Sequence, residues 1–165
     1  MQAWKVGFSE TGDIALIELD IPNDARNLLY EYDSLARPTS GKCDFADVIS
    51  ITSMDSTHEW HKVEKAYSAY DFNFIYKVGS RVYADRFVED HFDECTPGIH
   101  YFLNKGAAAA YAWTGWFRIK QHVFWANLQS QSLEEYKKHV GLRYQTLITD
   151  ELIKESVGED NGRTS

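Results

Sequence analysis

The segment DIALIELDIP, residues 13–22, is apolar along almost its whole length. Ile14 and Leu16 alternate with a second apolar set, formed by Ala15, Ile17, Leu19 and Ile21. An extended segment that carries apolar side chains on both faces is typical of a strand that is covered on both sides. Pro22 ends the run because proline has no amide hydrogen for a sheet. The segment therefore predicts a mostly buried β-strand in a layered domain.

Other short runs of β-branched and aromatic residues predict further strands at 4–8, 46–51 and 99–103. The segment FIYKVGSRVYAD, residues 74–85, places two such runs on either side of Gly79 and Ser80. Glycine at the first central position suits a type II′ turn, so this segment predicts a β-hairpin. Its buried face is expected to carry Tyr76, Val78 and Val82.

Several segments predict helix or irregular chain. Residues 27–41 read as a connection with little regular structure, and 57–67 as a short helix. Asn104 is placed to cap a helix over 105–113. Further helices are expected over 132–140, which opens with a capping box, and over 149–157. Because strands and helices do not alternate regularly, we predict a compact α+β domain with a mainly antiparallel sheet and C-terminal helices. Residues 1–157 form this domain, and 158–165 form a flexible polar tail.

Charge and composition narrow the classes of function. The chain has 165 residues, 17 Lys and Arg against 25 Asp and Glu, and a formal net charge of −8. A net negative charge disfavours direct nucleic-acid binding, because phosphates are repelled. No apolar run approaches the length of a membrane span, and the N-terminus lacks the pattern of a secretory signal. We therefore expect a cytoplasmic protein with no membrane contact.

Four motifs are candidates for reactive or metal-binding sites. Cys95 and His100 flank a Pro-Gly turn, but the chain shows no third orienting group for a nucleophile, so we expect no catalytic residue here. Cys43 with Cys95, and the segments HEWH (58–61) and EDHFDE (89–94), lack the spacing of known metal motifs. We therefore predict no metal and no cofactor.

The segment GWFRIKQHVFWANL, residues 115–128, alternates strictly and predicts a strand. On that strand one face carries Trp116, Arg118, Lys120, His122 and Phe124, with the cations about 7 Å apart. A row of cations flanked by aromatic rings is suited to an anion that carries a ring, such as a nucleotide. An alternative is a solvated edge whose cations pair with nearby acids. Arg81 and Lys77 are further candidates for such a site.

Four segments resemble, in this order, the DUF5758 family of viral, phage and bacterial proteins, which has no assigned function. They are GDIALIELDIPNDAR, GKCDFADVISI, YDFNFIYKVGSRVYADRF and ECTPGIHYFLNKGAAAAY, and the resemblance covers about residues 10–111. Its most specific parts are Cys95, Gly98, Ile99 and His100, followed by Gly-Lys-Cys at 41–43. The chain departs from the family at 105–107, where members usually carry acids. The resemblance implies a phage or viral origin and assigns no catalytic residue.

Together these observations predict a small phage- or virus-encoded binding protein that neutralises a host factor. Its target is a host protein or an anionic, nucleotide-derived small molecule. The residues expected to bind this ligand are His100 and the predicted strand face of Trp116, Arg118, Lys120, His122 and Phe124. One alternative is an enzyme on a nucleotide-like substrate that uses His100 or His122 as acid or base. Another is a structural or accessory viral protein.

Overall fold

The structure is a computed structural model, and it describes residues 1–30, 39–55, 57–91 and 96–129. These residues form one ten-stranded sheet and two helices, and all of the strand pairs are antiparallel. The strands are β1 (Gln2–Phe8), β2 (Ile14–Asp20), β3 (Asn27–Tyr30), β4 (Ser40–Cys43), β5 (Phe45–Met54), β6 (Trp60–Lys62), β7 (Lys65–Ser68), β8 (Ile75–Lys77), β9 (Arg81–Tyr83) and β10 (Ile99–Phe102). The helices are α1 (Lys105–Tyr111) and α2 (Gly115–Gln129). The predicted α+β class with a mainly antiparallel sheet is confirmed.

The sheet is built around β1, β2 and β5, in the order β3-β4-β10-β1-β2-β5-β6. The apolar strand β2 pairs along its full length with β1 and along most of it with β5. This central position explains why β2 carries apolar residues on both faces. The strands predicted over 4–8, 13–22, 46–51 and 99–103 are all present.

The edge of β1 opposite β2 is shared by two strands, and the sheet forks there. β10 pairs with this edge at Trp4, and β7 pairs with it at Gly7 and Phe8. A side chain at Gly7 would meet the backbone oxygen of Tyr67 at 2.4 Å, so only glycine allows this approach. Lys5 lies between the two pairings, at the point where β10 and β7 separate.

The two faces of the sheet carry separate cores. The first contains Ile17, Leu19, Val48, Ile51, Tyr76, Val82, Ile99 and Tyr101 among its buried residues. The second contains Val6, Phe8, Ile14, Leu16, Ala108, Phe117 and Phe124, so that both helices cover this face. The ring centre of Phe8 lies 5.0 Å from that of Phe117 and 4.9 Å from that of Phe124. These contacts fix α2 on the sheet.

The prediction of a strand over 115–128 is wrong, because these residues lie in α2. Among the residues of this helix whose burial is described, Phe117, Lys120 and Phe124 are the most deeply buried, and their spacings of three and four match its period. The segment therefore carries the three- and four-residue spacing of a helix, and the two-residue alternation seen in its sequence is a coincidence. Thr114 begins the helix, and its Oγ1 accepts a hydrogen bond from the Phe117 amide at 3.3 Å.

The short helix predicted over 57–67 is also wrong, since this segment contains β6 and β7. Residues 27–41 contain more regular structure than predicted, because β3 pairs with β4. In both places short strands become stable only through their partners, which sequence periodicity does not reveal.

The predicted hairpin is partly correct. The chain does turn at 77–80, where the Ser80 amide donates to the Lys77 carbonyl at 3.1 Å. Gly79 occupies the second central position with φ of 82°, which is the requirement of a type II turn rather than II′. The flanking strands do not pair with each other, because β8 pairs with β7 and β9 pairs with β5. Even so, Tyr76, Val78 and Val82 share the first core as predicted.

The predicted cap of α1 is confirmed, since Asn104 Oδ1 accepts a hydrogen bond from the Ala107 amide at 3.1 Å. The helices predicted over 132–140 and 149–157 and the tail at 158–165 lie outside the described residues. Within the described ranges, neither helix has the length and apolar character required to cross a membrane.

Candidate functional site: a lysine–aromatic cluster

The charged side chains that the structure buries are unusual for an acidic protein. Lys5, Lys42 and Lys120 are each at most 3% exposed, and His122 is also buried. No Asp or Glu is buried among the residues that the structure describes. Lysine is among the residues least often buried, because its ammonium group loses hydration. The positions of these lysines therefore need an explanation.

Two of the three lysines meet at one aromatic ring. The Nζ atom of Lys5 lies 5.2 Å from the ring centre of Tyr70, and that of Lys120 lies 4.9 Å from the same centre. Lys120 Nζ also lies 5.2 Å from the Trp116 ring. These distances are within the range of cation–π attraction. We call Lys5, Tyr70, His100, Trp116 and Lys120 the lysine–aromatic cluster.

The fork in the sheet places Lys5 in this cluster. Its ammonium group donates a hydrogen bond to the His100 carbonyl at 2.8 Å. β1 and β10 are paired at Trp4 and Phe102, and Lys5 bridges the two strands beside that pair. Lys5 therefore links β1 to β10, in addition to its contact with Tyr70.

Helix α2 and the segment after β7 supply three further members, Tyr70, Trp116 and Lys120. Trp116 and Lys120 are one helical turn apart, so their side chains lie on the same face of α2. Tyr70 follows β7, and its hydroxyl forms a hydrogen bond of 2.9 Å with the hydroxyl of Tyr111 in α1. This bond connects the Tyr70 segment to the helical layer. Tyr70 and Trp116 are both partly exposed, so the cluster has an aromatic rim at the surface.

His100 forms the side of the cluster next to β10. Its ring centre is 6.3 Å from that of Tyr70, and its Nε2 is 2.8 Å from the Thr96 carbonyl. A carbonyl oxygen only accepts hydrogen bonds, so this contact assigns the hydrogen to Nε2. The ring is therefore oriented by the backbone of the turn that precedes β10.

Lys42, the third buried lysine, holds the chain around that turn together. Its ammonium group donates to the Val88 carbonyl and to Thr96 Oγ1. It also lies 5.4 Å from the ring centre of Phe87. These contacts join two loop segments through one cation, so we assign Lys42 a structural role.

The two most specific parts of the family resemblance lie side by side in the sheet. Strand β4 carries Gly-Lys-Cys at 41–43, and β10 pairs with it so that Lys42 is opposite His100 and Cys43 opposite Ile99. A Cβ atom at Gly41 would lie 2.4 Å from the Tyr101 hydroxyl. Packing between the two strands therefore accounts for Gly41 and for its pairing partner Tyr101 in the described part of these motifs.

The structure separates the residues that the sequence grouped on one strand face. Trp116, Lys120 and His100 come together in the lysine–aromatic cluster. Arg118 instead lies 5.3 Å from the Trp113 ring centre. Phe124 is in the core, stacked on Phe8.

His122 is buried, and its pKa is lowered to about 4, first by burial and second by the positive charge of Arg118. Its ring is therefore neutral near pH 7. A general base or acid works best when its pKa is near the working pH, so this value does not favour His122 in that role at neutral pH.

Lys5 and Tyr70 were not predicted to belong to the site. The sequence did contain a signal for Lys5, because it is the only charged residue in the apolar segment AWKVGF. Burying a charge in a strand costs free energy unless the charge is paired. Tyr70 gave no such signal, because ten tyrosines are spread along the chain.

The motifs weighed for nucleophilic or metal chemistry gain no support from the described residues. Burial raises the pKa of the Cys43 thiol to about 12, so it is protonated and unreactive at neutral pH. Cys95 lies outside the described residues. His61 is exposed, and its Nδ1 lies 3.9 Å from a carboxylate oxygen of Asp55 at the surface. In the described ranges, no three His, Cys, Asp or Glu side chains are grouped to hold a metal ion.

Comparison with known proteins gives one match. The model of a family of unknown function, DUF5758, matches residues 1–108. That range contains all ten strands, β1 to β10, whereas α2 lies beyond it. Neither the curated proteins nor the solved structures include a significant match.

Proposed function

Because the chain belongs to the DUF5758 family, whose function is unknown, its activity has to be inferred from its own side chains, and we propose that it is a binding protein for an anionic small molecule that carries an aromatic ring. A nucleotide or nucleotide-derived signal has this chemistry. The proposal depends on one observation, the convergence of the Lys5 and Lys120 ammonium groups on Tyr70.

An anion is the ligand that this arrangement favours most. A phosphate that contacts both ammonium groups forms charge-assisted hydrogen bonds with them, and such bonds are stronger away from bulk water. The partly exposed rings of Tyr70 and Trp116 provide flat surfaces for a base, and such stacking contributes about 1–3 kcal/mol per base.

The biological use that we propose is sequestration. A phage- or virus-encoded protein of this kind neutralises a host factor by holding a nucleotide-derived signal, or by binding a host protein. The family resemblance supports the viral part of this proposal, and the lysine–aromatic cluster supports the nucleotide part. Binding alone is sufficient for such a role.

Calorimetric titration with a panel of mono-, di- and cyclic nucleotides tests the proposal. We expect at least one nucleotide to bind and to raise the melting temperature by mass action. Lys120→Met removes the charge and keeps the length of the side chain, so it should weaken binding by about tenfold or more. The matched control is Lys105→Met, because the exposed Lys105 contacts the Trp4 ring at 5.1 Å outside the cluster. This control should bind as the wild type does.

Three results would overturn the proposal. The first is that no member of the panel binds, and the second is that Lys120→Met and Lys105→Met weaken binding equally. The third is that incubation converts the nucleotide and His100→Ala abolishes the conversion, which would identify an enzyme. Circular dichroism verifies that Lys120→Met keeps the fold of the wild type.

A further inference from the structure

One edge of the sheet ends in a short strand that is exposed along its whole length. Among the strands that the structure describes, β6 is last in the sheet order and pairs only with β5. All three of its residues are exposed, and Trp60 is 45% exposed. The edge of a sheet presents N–H and C=O groups that a strand of another chain can bind. The outer side of β6 is therefore a candidate docking surface.

The pairing with β5 shows which backbone groups of β6 point away from the sheet. The amide of Val63, directly after β6, donates to the Ile51 carbonyl at 3.0 Å. In an antiparallel pair, residues that bond to the partner strand alternate with residues whose N–H and C=O point the other way. Val63 and His61 therefore bond towards β5, and the N–H and C=O groups of Trp60 and Lys62 point outward. Within the described part of the chain, no other strand pairs with them.

The side chains of Trp60 and Lys62 lie on the same face of β6, beside Met54 and Thr52 of β5. Neither side chain has a stacking partner, an ion pair or a hydrogen bond with a residue that the structure describes. An indole and an ammonium group are the two halves of a cation–π pair. This edge thus carries both halves of such a pair, two residues apart and exposed.

We infer that β6 pairs with β6 of a second copy of the chain, antiparallel and across a two-fold axis at His61. In this register Trp60 is opposite Lys62 of the partner subunit, and Lys62 is opposite Trp60 of the partner subunit. Each outward N–H group then donates to an outward C=O group of the other copy. Each indole also faces an ammonium group, and facing side chains of paired strands are close enough to interact. A symmetric contact of this kind closes at a dimer.

Complementarity favours a second copy over an unrelated extended segment. A second copy supplies the ammonium group and the indole at the required spacing, whereas an unrelated segment has to contain both. Beyond the strand, Glu64 is opposite His58 of the partner subunit, so like charges do not meet there. At the axis, the Nδ1 of each His61 has a carboxylate oxygen of Asp55 of its own chain at 3.9 Å, which offsets the charge of a protonated ring. Because the net charge of −8 opposes association in general, we expect a reversible dimer.

Sedimentation velocity over a wide range of protein concentration tests the inference, and we expect a monomer–dimer equilibrium. Lys62→Pro removes an outward N–H group and no bond to β5, and proline is tolerated on an edge strand. The axis doubles the change to two lost hydrogen bonds, so the dimer should dissociate about tenfold more readily. The matched control is Tyr83→Pro in β9, where the amide of the next residue, Ala84, donates to the Asp44 carbonyl of the chain beside it at 2.7 Å and Tyr83 faces outward. This control should dimerise as the wild type does.

Cross-linking tests the register. His61→Cys places two thiols opposite each other at the axis, with Cβ atoms about 4.5–5.5 Å apart, so a mild oxidant should join the two copies. Lys62→Cys is the matched control, because the residue opposite it is Trp60 of the partner subunit and not its own copy. The wild type, which retains Cys43 and Cys95, gives the background of cross-linking.

The inference fails if the wild type stays monomeric at every concentration, or if Tyr83→Pro weakens the dimer as much as Lys62→Pro does. It also fails if Lys62→Cys cross-links as readily as His61→Cys. Circular dichroism verifies the fold of each variant, and Trp60→Ala, which should also weaken the dimer, replaces Lys62→Pro if the latter unfolds. The lysine–aromatic cluster shares no residue with β6, so Lys120→Met should dimerise normally and the two proposals are tested separately.

Discussion

Residues of the same type differ widely in chemistry within this molecule, according to their surroundings. His61 is exposed on β6 beside Asp55, whereas His122 is buried in α2 near Arg118. Cys43 has an inert thiol, because burial raises its pKa to about 12. The sequence states which residue stands at each of these positions. Its pKa depends on burial and neighbouring charges, which only the folded structure provides.

The lowered pKa of His122 leads to a prediction about pH. The folded protein protonates His122 near pH 4, whereas the unfolded chain does so near 6.5. Between these values the unfolded state holds a proton that the folded state lacks, so lowering the pH from about 6.5 towards 4 reduces stability. The loss should reach roughly 3 kcal/mol, and urea titrations of wild type and His122→Gln at several pH values measure it.

The stability of His122→Gln should depend less on pH between about 6.5 and 4 than that of the wild type. In addition, Arg118→Gln should raise the pKa of His122 in an NMR titration, because it removes a nearby positive charge. A native pKa near 6.5 in the wild type would contradict this account of the site.

Among the elements, the pair β4–β10 shows how closely two strands can approach when glycine is present. Gly41 is opposite Tyr101, whose hydroxyl donates to Asn27 Oδ1. A methyl group at Gly41 would lie 2.4 Å from that hydroxyl and 2.8 Å from the Leu28 carbonyl. The backbone on one side leaves no room for adjustment, so the fold requires glycine at this position.

We therefore predict that Gly41→Ala destabilises the protein by about 1–3 kcal/mol, as overpacking of a core does. The control is Gly115→Ala at the start of α2, where an added Cβ meets nothing within 4 Å. That variant should be unchanged or slightly more stable, because alanine favours a helix over glycine. Chemical denaturation compares the two, and equal stabilities would show that β4 and β10 are less tightly packed than described.

For the molecule as a whole, the second core joins the helical layer to the sheet. Phe124 of α2 stacks on Phe8 at 4.9 Å and contacts Phe72 edge-on at 5.0 Å. Its ring also lies 5.4 Å from that of Tyr67. α2 also carries two members of the lysine–aromatic cluster, so this packing positions the candidate site.

Phe124→Ala should therefore lower the free energy of unfolding by about 3–5 kcal/mol, since it leaves a cavity between helix and sheet. Val123→Ala, at a partly exposed position of the same helix, should cost much less. Urea denaturation monitored by circular dichroism gives both values. A loss below about 1 kcal/mol for Phe124→Ala would mean that the sheet is stable without α2.

The amino-acid sequence by itself determined the features that depend on neighbours along the chain. These are the central strands β1, β2, β5 and β10, the Asn104 cap and the position of the turn at 77–80, because periodicity, capping and glycine conformation are local properties. It also identified Trp116, Lys120 and His100 as candidate site residues, although for a strand that does not exist. Only the tertiary structure decided that 115–129 is a helix, that β10 and β7 share one edge of β1, and that Lys5 and Lys120 meet at Tyr70. Those features depend on contacts between residues far apart in sequence, and such contacts form only when the chain is folded.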